Sequence, residues 1–371
     1  MSEQIIISLG SNLGNRLESL HKALALLEEY PISVKQLSRV YETPAWGFES
    51  APFYNACVTI ATDLNPNHLL EVFLAVEQRL GRSRLPKPGY TARSIDLDLL
   101  LYKNEIVHSR DLKVPHPKLH QRNFVLFPLL DIVPNFIHPI LFQTIKQLVV
   151  KSPDPAKVIP LAFNLGLPPI FNQFPFIAIE GNIGVGKSTL ARKIAKQYQV
   201  KLYTESFADN PYLKDFYKNP IDHALQVEAF FLKDRFEKDT YFWQKNQGSV
   251  VADFCLHKCL VFAAKNLSPK EFVTYKEKFD SEIEHKKSPS LLLFLKASIE
   301  QLKKQIQVRG RSFEQDIEES YLKGIGEEYR LLLNSKLSFP ILECEVDHID
   351  FEKDEYAFQK ILRAVFRASF L

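Results

Sequence analysis

The chain opens with "QIIISLGSN", an apolar run that ends in a Gly/Ser/Asn turn. Such a run predicts a strand followed by a tight turn. "RLESLHKALALLEEY" comes next, and Leu17, Leu20, Leu24 and Leu27 recur at the spacing of one helical face. "FYNACVTIAT" alternates as a strand does, while "NPNHLLEVFLAVEQRLG" has the helical period and stops at Gly81. A further strand follows in "ARSIDLDLLLY". The order β-α-β-β-α-β predicts an N-terminal α+β sandwich of the ferredoxin-like kind.

Periodicity is lost over 151–175, "KSPDPAKVIPLAFNLGLPPIFNQFP", which holds six prolines. Proline at that density blocks both helix and ladder and predicts an extended connector. Beyond it a buried strand "FIAIE", a glycine-rich turn and a helix "KSTLARKIAKQY" open an α/β P-loop domain with a parallel sheet. "SPSLLLFLKA" supplies a later strand. The resulting division is a first domain over 1–158, a Pro-rich linker over 159–175 and a second domain over 176–371. No internal repeat at a fixed period relates the two.

Composition narrows the possible functions. With 371 residues and 46% apolar content the chain can build two cores. A net charge of +3 provides no broad field for nucleic acid or membrane, so anions must be bound by particular loops. Cys57, Cys255, Cys259 and Cys344 form no CxxC pair and read as reduced thiols. The start carries no signal-peptide pattern, and the longest apolar run, "LLLFL", is far short of a membrane span. A soluble cytoplasmic protein is expected.

Gly181, Asn182, Ile183, Gly184, Val185, Gly186, Lys187 and Ser188 fit GxxxxGK[ST], with Thr189 next in the helix. The glycines let backbone N–H groups face phosphate oxygens, Lys187 can reach the β/γ oxygens, and Ser188 can hold Mg²⁺. Glu205, at the end of the next strand, suits a general base for a hydroxyl nucleophile, or is a solvated loop acid. Arg309 and Arg311 beside Glu314 suit a phosphoryl-transfer lid, or form an ordinary basic helix end.

Together "IEGNIGVGKSTL", "TES", "NPYLKDFY", "FFLKDRF", "RGRSFEQ" and "ILECEVD" resemble the deoxynucleoside kinase family over essentially all of 176–371. The resemblance implies Glu205 as the base for the 5′-hydroxyl, Tyr217 and Glu314 on the 3′-hydroxyl, and Arg309 and Arg311 as lid arginines. Members commonly carry a Gln seven residues before an Arg on the helix that reads the base. Here Glu228 stands seven before Arg235, with Gln226 two positions further back. "VADFCLHK" lacks the acid-Arg-Ser run of several animal members and leaves Asp253 as the charge at that strand end. A carboxylate accepts from adjacent N–H donors, so the expected substrate is a purine deoxynucleoside, guanine ahead of adenine.

In the first domain, Asp96 and Asp98 lie two apart on a strand and so face one side. Side-by-side carboxylates invite a cation such as Mg²⁺ on substrate phosphates, unless the pair merely faces solvent. Arg82, Arg84, Arg93, His116 and Arg122 supply groups to grip phosphate, and Glu77 stands in the same stretch as Arg82 and Arg84. "SLGSNLGNR", "ETPAWGF", "FYNACV", "LGRSR", "ARSIDLDLLLY" and "VPHPKLHQRNFVLFPL" resemble 6-hydroxymethyl-7,8-dihydropterin pyrophosphokinases over about 1–145. That resemblance implies two Mg²⁺ on Asp96 and Asp98. It implies ATP contacts from Leu70, Glu77, Arg82, Arg84, Arg93, His116 and Arg122, and a pterin pocket of Thr43, Pro44, Phe53, Asn55 and Phe124. The loop 85–92, "LPKPGYTA", departs from the Arg-Trp-Gly-Pro run of some relatives, and Lys87 or Tyr90 could serve there.

The leading expectation is a bifunctional enzyme, with ATP as co-substrate at both sites, two Mg²⁺ at the first and one at the P-loop. It acts on small molecules and pairs, if at all, as a homodimer through the kinase half. The alternatives are one degenerate regulatory domain, or a P-loop ATPase with an N-terminal partner-binding domain.

Overall fold

The computed structural model describes residues 4–82, 91–206, 210–311, 314–315 and 317–370, with the backbone alone at Lys214, Tyr217, Lys218, Pro220 and Ile221. It divides into two units, Met1–Pro168 with Gln359–Leu371, and Pro169–Phe358. Among the described residues no helix is long and apolar enough to cross a membrane.

The first unit contains β1 (Ile5–Ser11), α1 (Arg16–Leu27), β2 (Ile32–Leu37), β3 (Val40–Thr43), β4 (Phe53–Thr62), α2 (Pro66–Arg79) and β5 (Asp96–Tyr102). A small hairpin of β6 (Val107–His108) and β7 (Lys113–Val114) precedes α3 (Asn123–Ile132), α4 (Ile145–Val150) and β8 (Ile159–Leu161). The main sheet runs β5-β1-β4-β3-β8, with β2 also on β4, and every pairing is antiparallel. Strand alternation splits the apolar residues between two faces. Ile5, Ile7 and Val58 pack with Leu24 of α1 and Phe73 of α2, while Ile6, Cys57 and Leu100 pack with Leu126 of α3 and Leu148 of α4.

Two features of this unit differ from the sequence reading. The proline-rich stretch contains β8, which sets Leu161 opposite Val40 and Ile159 opposite Glu42. Pro160 has no N–H to donate, which an outermost strand tolerates, and its neighbours are too exposed to show an apolar period. Residues 359–371, assigned above to the second domain, pack within the first unit. Arg363 donates from Nε and Nη2 to both oxygens of Glu28 at 2.8 Å, and this pair is almost wholly buried. Phe366 meets His21 edge-on at 5.9 Å.

The second unit contains β9 (Phe176–Gly181), α5 (Lys187–Tyr198), β10 (Lys201–Tyr203), α6 (Leu213–Lys218), α7 (Pro220–Lys245), β11 (Val250–Ala252) and α8 (Lys258–Asn266). It continues through α9 (Pro269–Ile283), β12 (Leu291–Lys296), α10 (Ile299–Arg309), α11 (Glu319–Leu333), β13 (Ile341–Glu345) and the start of α12 (Glu355–Arg367). The sheet is parallel throughout, in the order β10-β11-β9-β12-β13. All six residues of β9 are buried, as a central strand covered on both faces requires.

Candidate active sites

In the second unit, β9 delivers the glycine loop at its carboxyl end, where open parallel sheets bind ligands. Gly181 and Gly184 have φ of 146° and 86°. A Cβ there would lie 2.4 Å from the Leu295 carbonyl oxygen and 2.8 Å from that of Leu302, so only glycine fits. Gly186 starts α5, which leaves the N–H groups around Lys187, Ser188 and Thr189 at a helix N-terminus. The Lys187 ammonium donates to the carbonyls of Gly181 (2.6 Å) and Asn182 (3.0 Å). Burial, helped by nearby Lys258, lowers its pKa to about 8. Phosphate charge would reverse that shift. Buried Glu180 braces the loop from below. It accepts from Cys255 N (2.8 Å), Gly181 N (3.1 Å) and the Tyr329 hydroxyl (2.7 Å).

A cleft of about 840 Å³, counting its open mouth, lies beside this loop. Ile183, Gly184, Lys187, Ser188, Glu205, Glu228, Arg235, Asp253, Arg309, Arg311 and Glu314 all line it. Glu205 Oε1 accepts from Arg235 Nη2 (2.6 Å) and Nε (2.9 Å), and Oε2 accepts from Lys258 Nζ (2.7 Å). Burial pushes this carboxyl up, but Lys258 and Arg235 outweigh it and hold the group well below the usual carboxylate range. Asp253 Oδ1 accepts from the Glu205 N–H at 2.9 Å. Arg309 and Arg311 both donate to buried Glu314.

Glu228 shares a face of α7 with Arg235 but has other partners. Its Oε1 accepts from Asn266 Nδ2 at 2.8 Å, and its Oε2 is buried with no hydrogen-bond partner. Burial raises this carboxyl to about 7. Gln226 is exposed and meets His223 at 3.1 Å, away from the cleft lining. Tyr217 lies on α6, and its side chain is outside the described residues. Sequence reasoning passed over Lys258 and Asn266, at the two ends of α8, because neither belongs to a motif.

In the first unit, Asp96 and Asp98 start β5 on the α3 face, while Leu97 and Leu99 point to the other core. Arg82 bridges Glu77 and Asp96, and Arg93 Nη1 donates to Asp96 Oδ2 at 2.7 Å. Glu77 is buried on α2 and also accepts from Leu97 N at 2.8 Å. Burial, and then the charge of Asp96, raise Asp98 to about 7, against the pull of Arg122 and Arg93. A buried carboxylate beside a second one fits a cation. Among the described residues no three His, Cys, Asp or Glu side chains form a ready metal cage. Mg²⁺ bound through two carboxylates plus substrate phosphates matches that donor set.

Asn55 Nδ2 donates to Thr43 Oγ1 at 2.8 Å, both side chains buried. Gly10 opposite is needed here, since a Cβ would lie 2.9 Å from Asn55 Oδ1. Arg122 lies 4.8 Å from the Trp46 ring and 5.4 Å from that of Phe124, and Arg93 lies 5.6 Å from Phe53. Burial, and then Arg122, lower His116 to about 4, so at neutral pH it acts as an uncharged hydrogen-bonding ring. Leu70 is half-buried on α2 and Pro44 is exposed after β3. Arg84, Lys87 and Tyr90 lie outside the described residues. Asn12 was missed, although "SLGSN" contains it. It accepts from Arg93 N at 2.8 Å and donates to Ser50 and Ala51, so it ties two loops to the site.

A family model for deoxynucleoside kinase matches residues 177–370, and one for 7,8-dihydro-6-hydroxymethylpterin-pyrophosphokinase matches residues 6–134. The chain is 43% identical over 144 residues to a 2-amino-4-hydroxy-6-hydroxymethyldihydropteridine pyrophosphokinase of Aquifex aeolicus, covering 38% of this chain and 88% of that one. It is 35% identical over 198 residues to a deoxyguanosine kinase of Bacillus subtilis, covering 51% and 95%. A solved deoxyadenosine kinase from M. mycoides with bound dCTP aligns at TM-score 0.44 and 22% identity, over 52% of this chain and 99% of that one. The chain therefore belongs to two families, the deoxynucleoside kinases through its C-terminal part and the 7,8-dihydro-6-hydroxymethylpterin-pyrophosphokinases through its N-terminal part.

Proposed function

We propose that each unit carries a complete site of its own, and that the kinase site takes a purine deoxynucleoside. The observation that supports this best is that each unit has its own phosphate-handling set, a P-loop with Lys187 in one and Asp96/Asp98 among arginines in the other.

At the first site, the hydroxymethyl oxygen of the dihydropterin attacks the β-phosphorus of ATP. The bond from that phosphorus to the α,β-bridging oxygen breaks, AMP leaves, and the pterin hydroxyl's proton passes to solvent. Asp96 and Asp98 would hold two Mg²⁺, which neutralise phosphate charge. Arg82, Arg93 and Arg122 would hold oxygens of the transferred group and of the departing AMP, with Glu77 paired to Arg82. Thr43, Asn55, Phe53, Phe124 and Pro44 would receive the flat pterin, Asn55 reading its polar edge. Arg84 would join the ATP contacts, and the ferredoxin-like sandwich remains our assignment for this unit.

At the second site, the 5′-hydroxyl attacks the γ-phosphorus, Glu205 accepts the proton, and ADP leaves. Lys187 and the loop N–H groups hold the phosphates, Ser188 would hold one Mg²⁺, and Arg309 and Arg311 add charge as the bond breaks. Glu314 and Tyr217 would hold the 3′-hydroxyl. The buried free oxygen of Glu228 suits the N1–H and N2–H donors of guanine, and the Bacillus relative is named a deoxyguanosine kinase. Cytoplasmic location and pairing of two chains through the kinase unit complete the proposal.

Supplying ATP, Mg²⁺ and either the pterin or single deoxynucleosides tests it. The pterin should yield AMP, and deoxyguanosine should yield ADP faster than the pyrimidine nucleosides do. A pyrimidine preferred over both purines would overturn the substrate assignment.

A further inference from the structure

Lys258 belongs to no motif, yet it reaches the centre of the kinase site. It is the first residue of α8, only 4% exposed, and its ammonium lies 2.7 Å from Glu205 Oε2. The other oxygen of Glu205 is taken by Arg235 from α7. Asp253, at the strand end before α8, is followed by Phe254 and Cys255, so no arginine stands beside it in sequence. The second cation on the carboxylate comes instead from the start of the next helix.

We propose that Lys258 is a positioning residue of the phosphoryl transfer, holding Glu205 ionised and aimed so that it can take the nucleoside hydroxyl proton. This rests on the kinase reading of the second unit. Each Glu205 oxygen has a fixed partner, so the carboxylate cannot rotate away from the cleft. Each partner is also cationic, so the carboxylate stays ionised although the site is desolvated.

The surroundings identify Lys258 as the decisive group. Glu205 is faced by Arg235 and Glu228 from α7, Lys258 from α8 and Lys187 from the glycine-loop helix. Tyr203 on β10 and Tyr329 on α11 also face it, and Asp253 binds its N–H. Arg235 is committed to Glu205 and to Cys259 Sγ at 3.1 Å, and Lys187 to the loop carbonyls. With Lys258 removed, one guanidinium must balance burial and the neighbouring acids. The proton affinity of Glu205 should then rise, and its Oε2 loses the contact that aims it.

The test is kcat and KM for ADP formation by the full chain with Lys258→Met and Lys258→Arg. Lys258→Met should lower kcat by about 10²-fold near neutral pH while the deoxynucleoside KM stays within about threefold. Lys258→Arg should recover most of the rate. Circular dichroism and thermal unfolding report whether each variant is folded. A deficit carried by KM alone, or a Lys258→Arg variant no better than Lys258→Met, would overturn the proposal. If Lys258→Met does not fold, a folded Lys258→Arg variant with less than about a hundredth of the wild-type kcat would do the same. If no deoxynucleoside yields ADP with the wild-type chain, the kinase reading itself has failed, which is a different result.

Discussion

Glu228 and Arg235 show how one residue's partners decide its role. Arg235 is spent on Glu205, so on the proposed reading a base would meet the cleft mainly through Glu228 and the Asn266 that anchors it. With its carboxyl raised to about 7, Glu228 changes state in the working range of pH. Above 7 it is a carboxylate, which accepts two N–H donors as guanine offers. Below 7 it is an acid with one donor and one acceptor, which suits the N1 and N6 edge of adenine. The ratio of kcat/KM for deoxyguanosine over deoxyadenosine should therefore rise, by up to about 100-fold from pH 6 to pH 8. Glu228→Gln should flatten that dependence and lower the ratio, since an amide presents one donor and one acceptor at every pH. An unchanged ratio in Glu228→Gln would rule out base reading by this side chain. The i, i+7 spacing of the pair was legible along the chain, because a helix puts those positions on one face. Their partners were not, since Asn266 lies 38 residues from Glu228 and only packing joins them.

Among the elements, local pattern carried the glycine loop, α1, α2, β4 and the Asp-Leu-Asp strand. Each is specified by residues adjacent in sequence, through periodicity or glycine conformation. β8 and the end of α12 were illegible for the opposite reason. β8 is a strand only because β3 offers an edge, and Arg363 finds Glu28 across 335 positions. That buried pair gives a direct prediction. Arg363→Met leaves Glu28 buried without a cation, and should destabilise the first unit by roughly 3–5 kcal/mol. Pairing it with Glu28→Met should recover much of the loss. Thermal unfolding followed by loss of AMP formation measures both, and an unchanged midpoint in the single variant would contradict the packing described.

For the molecule as a whole, the pyrophosphokinase unit is not contiguous in sequence. A fragment of residues 1–158 lacks both β8 and the Arg363 helix, leaving β3 with an unpaired edge and Glu28 with no cation. It should lose AMP-forming activity at a lower temperature than the full chain, and co-expressing it with 159–371 should restore part of the difference. An equally stable fragment would show that residues 359–371 contribute nothing to this unit.

The claim on which the rest depends is that one chain carries two separate phosphate-transfer sites. The most direct measurement is the nucleotide released by Asp96→Ala and Lys187→Ala variants given ATP, Mg²⁺ and each acceptor. Asp96→Ala should abolish AMP from the pterin and leave ADP from deoxyguanosine at the wild-type rate, and Lys187→Ala should do the reverse. Loss of both products from either single change, in folded protein, would contradict the account.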